Sequence, residues 1–141
     1  MRELPLTIEV TDSTRVSGFL GLPESFTTGA TPTVVIGHGA QGDCGLPLIV
    51  GISRRLNRAG YITLRFNFPY REEGRTSPDP QEVLERTYLA AVTAAVDHPA
   101  YPAGPLIMGG KSLGGRIASQ IGNCVRRLRA LVFFGYPLHP P

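Results

Sequence analysis

Ser112 is the side chain around which chemistry could be built. It stands in Gly110-Lys111-Ser112-Leu113-Gly114, the G-x-S-x-G spacing of a nucleophile elbow, where a sharp strand-to-helix turn holds a serine oxygen exposed above a sheet. The flanking residues must be glycine, because backbone and helix come so close at such a turn that Cβ atoms would collide. A serine presented this way suits acyl transfer, which builds negative charge on a carbonyl oxygen. Fixed N–H donors stabilise that charge by about 3–4 kcal/mol each. One expected donor is the N–H of Leu113, directly after the serine. The other is the N–H of Ala40, in the turn His38-Gly39-Ala40-Gln41 that follows an earlier apolar run. The two are expected to converge near the Ser112 oxygen, while His38 itself reads as a structural loop residue.

Competing motifs fail on their context. Gly37-His-Gly-Ala-Gln-Gly42 matches G-x-G-x-x-G, but Gly45 and Pro47 disrupt the helix that should open at its third glycine. The following strand also carries Arg65 and Asn67 where an acidic residue is needed. A P-loop is excluded by register, since Pro105 rather than glycine stands five residues before Gly110. Lys111 is therefore read as a residue of the elbow. Cys44 and Cys124 are far apart, with no C-x-x-C and no histidine at ligand spacing, so no metal, disulfide framework or cofactor is expected.

The serine needs a strand before it and a helix after it, and the surrounding pattern supplies both. Pro105 to Met108 reads as a buried strand and Leu113 to about Arg126 as a helix, with small residues at Gly114, Gly115, Ala118 and Gly122 for close approach to a sheet. Upstream, Leu4 to Val10 and Val16 to Leu22 alternate with period two and predict a hairpin at the sheet's edge. Thr33 to Ile36 is an apolar run typical of strands covered on both faces. A helix is expected from Pro47 to Ala59, stopped by Gly60, then a strand from Tyr61 to Phe68 and a loop from Pro69 to Pro78. Asp79 as N-cap, Pro80 and Glu82 signal a further helix with Leu84, Tyr88, Val92 and Ala95 on its core face. The strand Ala130 to Phe134 closes the pattern. Alternating strands and helices imply right-handed crossovers in a mostly parallel sheet with helices on both faces, and ligands bind at the carboxyl ends of its strands.

At 141 residues the chain reads as a single domain, 1–141, and its 42% hydrophobic content suits a globular protein. The net charge of +3 does not argue for nucleic acid. Basic residues cluster only at Arg126, Arg127 and Arg129, a solvated helix end, without interleaved aromatics. The N-terminal residues lack the apolar core of a signal peptide, and no run is long enough to span a membrane. A reducing, cytoplasmic setting is the expectation.

Four blocks in order, His38-Gly-Ala-Gln-Gly-Asp43, Arg65-Phe-Asn-Phe-Pro-Tyr70, Gly109-Gly-Lys-Ser-Leu-Gly-Gly115 and Gly135-Tyr-Pro-Leu-His-Pro-Pro141, look like the small α/β hydrolases related to dienelactone hydrolase. More narrowly, the chain is similar to the hydrolase-like domain shared by testis-expressed proteins and a nonspecific-lethal-complex subunit. The resemblance implies a three-layer α/β-hydrolase fold, with Ser112 at the nucleophile position and Ala40 and Leu113 at the oxyanion positions. It also implies a triad running Ser, then Asp or Glu, then His along the chain. After Ser112 there is no Asp or Glu, and the only later histidine is His139. The chain is thus expected to stop two βα units short, lacking the last strands and helices. Asp97-His98 ends a helix at the opposite edge of the sheet, roughly 20 Å from Ser112 at about 3.3 Å per residue. His139 is on the correct edge, where Asp43, Glu72 or Glu73 would have to orient it.

Two readings follow. One is a serine hydrolase cleaving small carboxyl esters or thioesters through an acyl-enzyme on Ser112. The other is a catalytically incomplete hydrolase-like fold acting as a binding or regulatory module. The polypeptide as written is expected to hydrolyse p-nitrophenyl acetate barely above background, since a serine without its base is a poor nucleophile. If Ala130 to Phe134 is a sheet edge, its uncharged Leu131-Val132-Phe133-Phe134 run is a template for pairing with a second copy or a partner. Association at micromolar concentration is then expected in sedimentation. A stable monomer whose Leu131 to Phe134 amides are strongly protected from exchange would contradict that expectation.

Overall fold

The computed structural model describes residues 1–135. A hairpin opens the chain, β1 (Arg2–Thr11) and β2 (Thr14–Leu22), antiparallel with an irregularity between Glu9 and Thr11. Then come β3 (Thr33–Gly37), α1 (Pro47–Arg58), β4 (Ile62–Phe66), the single-turn α2 (Pro69–Glu72), α3 (Gln81–Val96), β5 (Leu106–Lys111), α4 (Leu113–Ile121) and β6 (Leu128–Phe134). A 3-10 turn at Gly122–Cys124 ends α4 earlier than expected. The sheet order is β1-β2-β4-β3-β5-β6, with β4, β3, β5 and β6 parallel. β1 is one edge, as the alternation predicts, and β6 is the other among the described residues.

The faces of the sheet bury different partners. Leu106 and Met108 of β5 join Val35, Leu64 and Phe66 under α3 and α4, where Leu84, Tyr88, Val92 and Ala95 of α3 are buried as predicted. Val34 and Ile36, pointing the other way, meet Ile49, Ile52 and Leu56 of α1. β3 has every residue buried, as a strand covered on both faces must. Because the chain steps from β3 to β4 on one side and reaches β5 on the other, the direction of winding reverses at β3. The loops after β3 and β5 diverge there, and the crevice between them is where ligands bind in such sheets.

Two expectations are corrected locally. Asp79 does not cap α3. The helix starts at Gln81 with Pro80 at the cap position and no side-chain cap, because the buried Asp79 carboxylate accepts instead from the Tyr70 N–H at 2.9 Å and from Arg75 at 3.2 Å. The segment 69–78 is not all loop, since it opens with α2, started by Pro69.

The tightest packing is backbone on backbone. A Cβ on Gly114 would stand 2.3 Å from both the carbonyl carbon and oxygen of Gly37, and one on Gly110 would stand 2.3 Å from the same oxygen. The first turn of α4 therefore rests directly on the end of β3. Gly114→Ala is expected to destabilise the protein by about 3 kcal/mol or more, the upper range for overpacking, because a main-chain atom cannot rotate away. Gly51→Ala, on a helix with nothing within 4 Å of the added methyl, is expected to be neutral or stabilising. Urea unfolding of the two variants checks this; equal midpoints would be the contrary result.

Candidate active site

β5 runs apolar into Gly109-Gly110, and α4 begins one residue after Ser112. The serine between them has φ 50 and ψ −108, and it is the one non-glycine residue with positive φ among those described. A conformation this sparsely populated costs on the order of 1–3 kcal/mol and persists only where its surroundings impose it. Here the Ser112 N–H donates to the Gly135 carbonyl at 2.7 Å, while its own carbonyl accepts from Arg116 N–H at 3.0 Å. Beneath the turn, the buried Tyr88 hydroxyl accepts from the Gly109 N–H at 2.9 Å and lies 2.6 Å from the Gly109 oxygen and 2.9 Å from that of Val35. Burial pushes this phenol far above its ordinary pKa, so it remains a neutral donor tying β5 to β3.

The loop after β3 is held from β4. His38 is fully buried. Its Nε2 accepts from the Phe68 N–H at 3.0 Å, which places the ring proton on Nδ1, donating to the Gly39 carbonyl at 2.7 Å. Burial lowers the His38 pKa, with the Gly39 hydrogen bond opposing it, and the ring is neutral. Tyr70 donates from its hydroxyl to the Ala40 carbonyl at 2.6 Å; burial pushes that phenol up to about 12. Farther along, the Cys44 N–H donates to Asn67 Oδ1 at 2.8 Å and the Cys44 carbonyl accepts from Arg65 at 2.7 Å. Arg65 also pairs with Glu3 at 2.8 Å and covers the Phe19 ring at 4.3 Å.

This bracing sets the direction of the loop's peptides. With Gly39 C=O turned to the His38 ring and accepting from Gly42 N–H at 3.2 Å, the N–H of Ala40 in the same trans plane points the opposite way. Among the described residues, neither the Ala40 N–H nor the Leu113 N–H has a hydrogen-bond acceptor. A cleft of about 380 Å³ joins the two loops, lined by Gly39, Ala40, Gln41, Gly42, Leu46, Lys111 and Ser112. A larger hollow of about 530 Å³ at the amino end of the sheet, between Met1, Pro23 and residues 57–60, holds none of these groups.

The other titratable candidates are engaged elsewhere or lie outside the described residues. His98 Nδ1 accepts from the N–H groups of Ala100 and Tyr101, so it closes a turn before β5. Asp43 accepts from Gly45 N–H and Glu73 pairs with Arg75. Burial disfavours a charge on Glu72, but hydrogen bonds from Asn67 and Ser17 outweigh that and hold its pKa below the ordinary value. His139 falls outside the described residues. Among those described, no group of three or more His, Cys, Asp or Glu could hold a metal ion, and no helix is long and apolar enough to cross a membrane.

Sequence reasoning singled out Ser112, Ala40 and Leu113, and the structure brings Ser112 and Ala40 to one cleft with Leu113 at the adjoining helix start. It missed Tyr70, Asn67 and Arg65 as the residues that hold the Ala40 loop. Arg65 and Asn67 carried a signal, since two polar groups crowd the carboxyl end of a buried strand where apolar residues would otherwise continue.

A family model described as "Alpha/beta hydrolase domain" matches residues 30–141. No curated protein matches the chain. The fold is shared with a dienelactone hydrolase from Anabaena variabilis (TM-score 0.76, 20% identity, covering 96% of this chain and 63% of that one). It is shared with a dienelactone hydrolase-like promiscuous phosphotriesterase from metagenomic libraries (TM-score 0.75, 20% identity, 99% and 62%). Est1E from Butyrivibrio proteoclasticus is also similar (TM-score 0.66, 22% identity, 90% and 49%). The chain therefore spans between about half and under two thirds of the length of these structures.

The buried neutral His38 predicts a pH dependence. Its folded pKa lies below the ordinary histidine value of 6.5, so as pH falls below about 6.5 the unfolded chain takes up a proton that the folded one refuses, and stability drops. The paired carboxylates Glu3 and Glu72, lowered from 4.5, act only at lower pH. The urea midpoint is expected to fall between pH 7.5 and 5.5, and to fall less in His38→Gln, a weaker but non-titrating variant. An equal fall in both proteins would remove His38 as the cause.

Proposed function

The chain belongs to the α/β-hydrolase domain family, and on that premise we propose that it takes part in acyl transfer, forming an ester on Ser112 from small carboxyl esters or thioesters. The observation that carries this reading is the forced backbone of Ser112 at a cleft lined by Ala40, with the Leu113 N–H at the adjoining helix start and neither N–H given an acceptor among the described residues. Ser112 Oγ attacks the substrate carbonyl. The oxyanion that forms is held by the N–H groups of Ala40 and Leu113, at the positive end of α4, whose first turn contains no acidic residue. Collapse expels the alkoxide or thiolate, which takes up the serine proton and leaves as the alcohol or thiol, and water then releases the acid. Likeness of the four sequence blocks to the hydrolase-like domain of testis-expressed and nonspecific-lethal-complex-subunit proteins supports the same assignment.

The step that decides throughput is removal of the Oγ proton. His38 is committed at both ring nitrogens and His98 lies before β5, so among the described residues no imidazole serves Ser112. That observation favours a second reading, a hydrolase-like fold that binds or regulates without turnover. His139 is the base this chain could bring.

An alkyl fluorophosphonate and an activated acetate ester separate the readings. Slow stoichiometric modification of Ser112 is expected by mass spectrometry, absent in Ser112→Ala, with steady-state turnover of p-nitrophenyl acetate near background. Loss of a catalytic histidine costs about 10⁶ in kcat where a complete triad exists. Turnover in the ordinary enzyme range that disappears in His139→Ala would identify the tail as the base. No adduct at Ser112 with either reagent would overturn the acyl-transfer reading in favour of the binding module.

A further inference from the structure

We propose that Lys111 makes the cleft selective for esters carrying a negative charge a few atoms from the scissile bond, such as esters with a carboxylate on the leaving group. This rests on Ser112 being the nucleophile. Ile107, Gly109 and Lys111 alternate onto the α1 face of β5, and Ile107 joins the cluster beneath α1. Lys111 is the last residue of that strand, so its chain leaves the sheet at the carboxyl edge rather than entering the core.

Its stem has a defined course. A Cβ placed on Gly39 would lie 3.8 Å from both Cγ and Cδ of Lys111 and 3.6 Å from its carbonyl oxygen. The side chain thus crosses the oxyanion loop at the residue before Ala40, and it lines the same cleft as Ser112, Ala40, Gln41 and Leu46. Lysine buries its methylenes along such a surface and keeps its ammonium at the wet end. Being adjacent to Ser112 in the chain, the ammonium reaches only a few atoms beyond the scissile carbonyl.

Nothing among the described residues neutralises it. The ion pairs join Arg15 to Glu9, Arg54 and Arg65 to Glu3, and Arg75 to Glu73 and Asp79, none of them involving Lys111. The acids nearest the loop are committed, Asp43 to Gly45 and Glu72 to Ser17 and Asn67. Leu46, 38% exposed, lines the same cleft. The opening therefore pairs one cation with an apolar rim, and a substrate matching both has a short apolar body with an anionic end. A neutral ester gains only the apolar contact.

The test compares two chromogenic acetates with related leaving groups, 4-nitro-3-acetoxybenzoate, which carries a carboxylate, and 2-nitrophenyl acetate, which does not. Acetylation of Ser112 is followed by mass spectrometry and by nitrophenolate release, each rate divided by the uncatalysed rate of the same ester. The anionic ester is expected to react about fivefold faster, a ratio of about 1 kcal/mol on the scale of a partly exposed ion pair. The ratio should shrink as salt rises, fall to about one in Lys111→Met, and survive in Lys111→Arg. A merely structural lysine would not make the ratio depend on salt. Acetylation of Ser112 with no preference, or a preference that persists in Lys111→Met, would overturn the inference and leave the nucleophile intact. Failure of both esters to modify Ser112 would instead overturn the reading it rests on, and the inference with it.

Discussion

The structure depends on one contact, the seating of the first turn of α4 against the end of β3. Gly37, Gly110 and Gly114 meet there with their main chains at distances that no Cβ could share. Close approach of this kind brings the loop after β3 and the turn after β5 to the same crevice. It also leaves the chain no room to enter α4 by a relaxed route, so Ser112 takes the strained dihedrals that lift its oxygen. The glycines of the elbow are thus a requirement of packing first. The geometry that suits a nucleophile follows from the packing.

A second layer of constraint comes from β4 and the residues just after it. Arg65, Asn67, Phe68 and Tyr70 each donate a hydrogen bond to the His38–Cys44 loop or accept one from it. Tyr70 is in turn anchored through its N–H to Asp79. Loops are commonly mobile because few buried contacts hold them; this one is braced at four places by groups from β4 and the residues just after it. Pre-set peptide directions matter for electrostatic stabilisation, since donors that need not reorganise are the ones that lower a barrier. The neutrality of His38 belongs to the same design. A charged imidazole could not accept from Phe68 N–H, and the loop would lose its central peg.

Much of this was legible in the sequence, for reasons that can be named. β3 and β5 are apolar runs whose register is set by burial on both faces, and the hairpin alternates because only one of its faces is covered. The elbow was legible because steric exclusion leaves glycine as the one solution at several positions within six residues. Asp79 was misread because an N-cap pattern is local, whereas the partners that claimed its carboxylate, Tyr70 and Arg75, are tertiary. The single turn of α2 was hidden in a polar segment whose helix formation rests on Pro69 and on burial of Tyr70 rather than on periodicity. Tyr70's role could not be read from spacing at all, since its acceptor is a main-chain carbonyl 30 residues away.

Ser112 and the N–H groups of Ala40 and Leu113 share one structural origin in this fold. Ser112, Ala40 and Leu113 are positioned by β3, β4, β5 and α4, all of which the described residues contain, and by contacts that are mostly backbone. The two described histidines serve the frame itself, one pinning the Ala40 loop and one closing the turn before β5, so on the proposed acyl-transfer reading a base would meet the serine from outside this frame. The strain at Ser112 follows from the seating of α4 on the end of β3, and it sets the residue at the cleft that Ala40 also lines. A glycine would occupy that turn at less cost, so the backbone conformation alone does not call for a serine there.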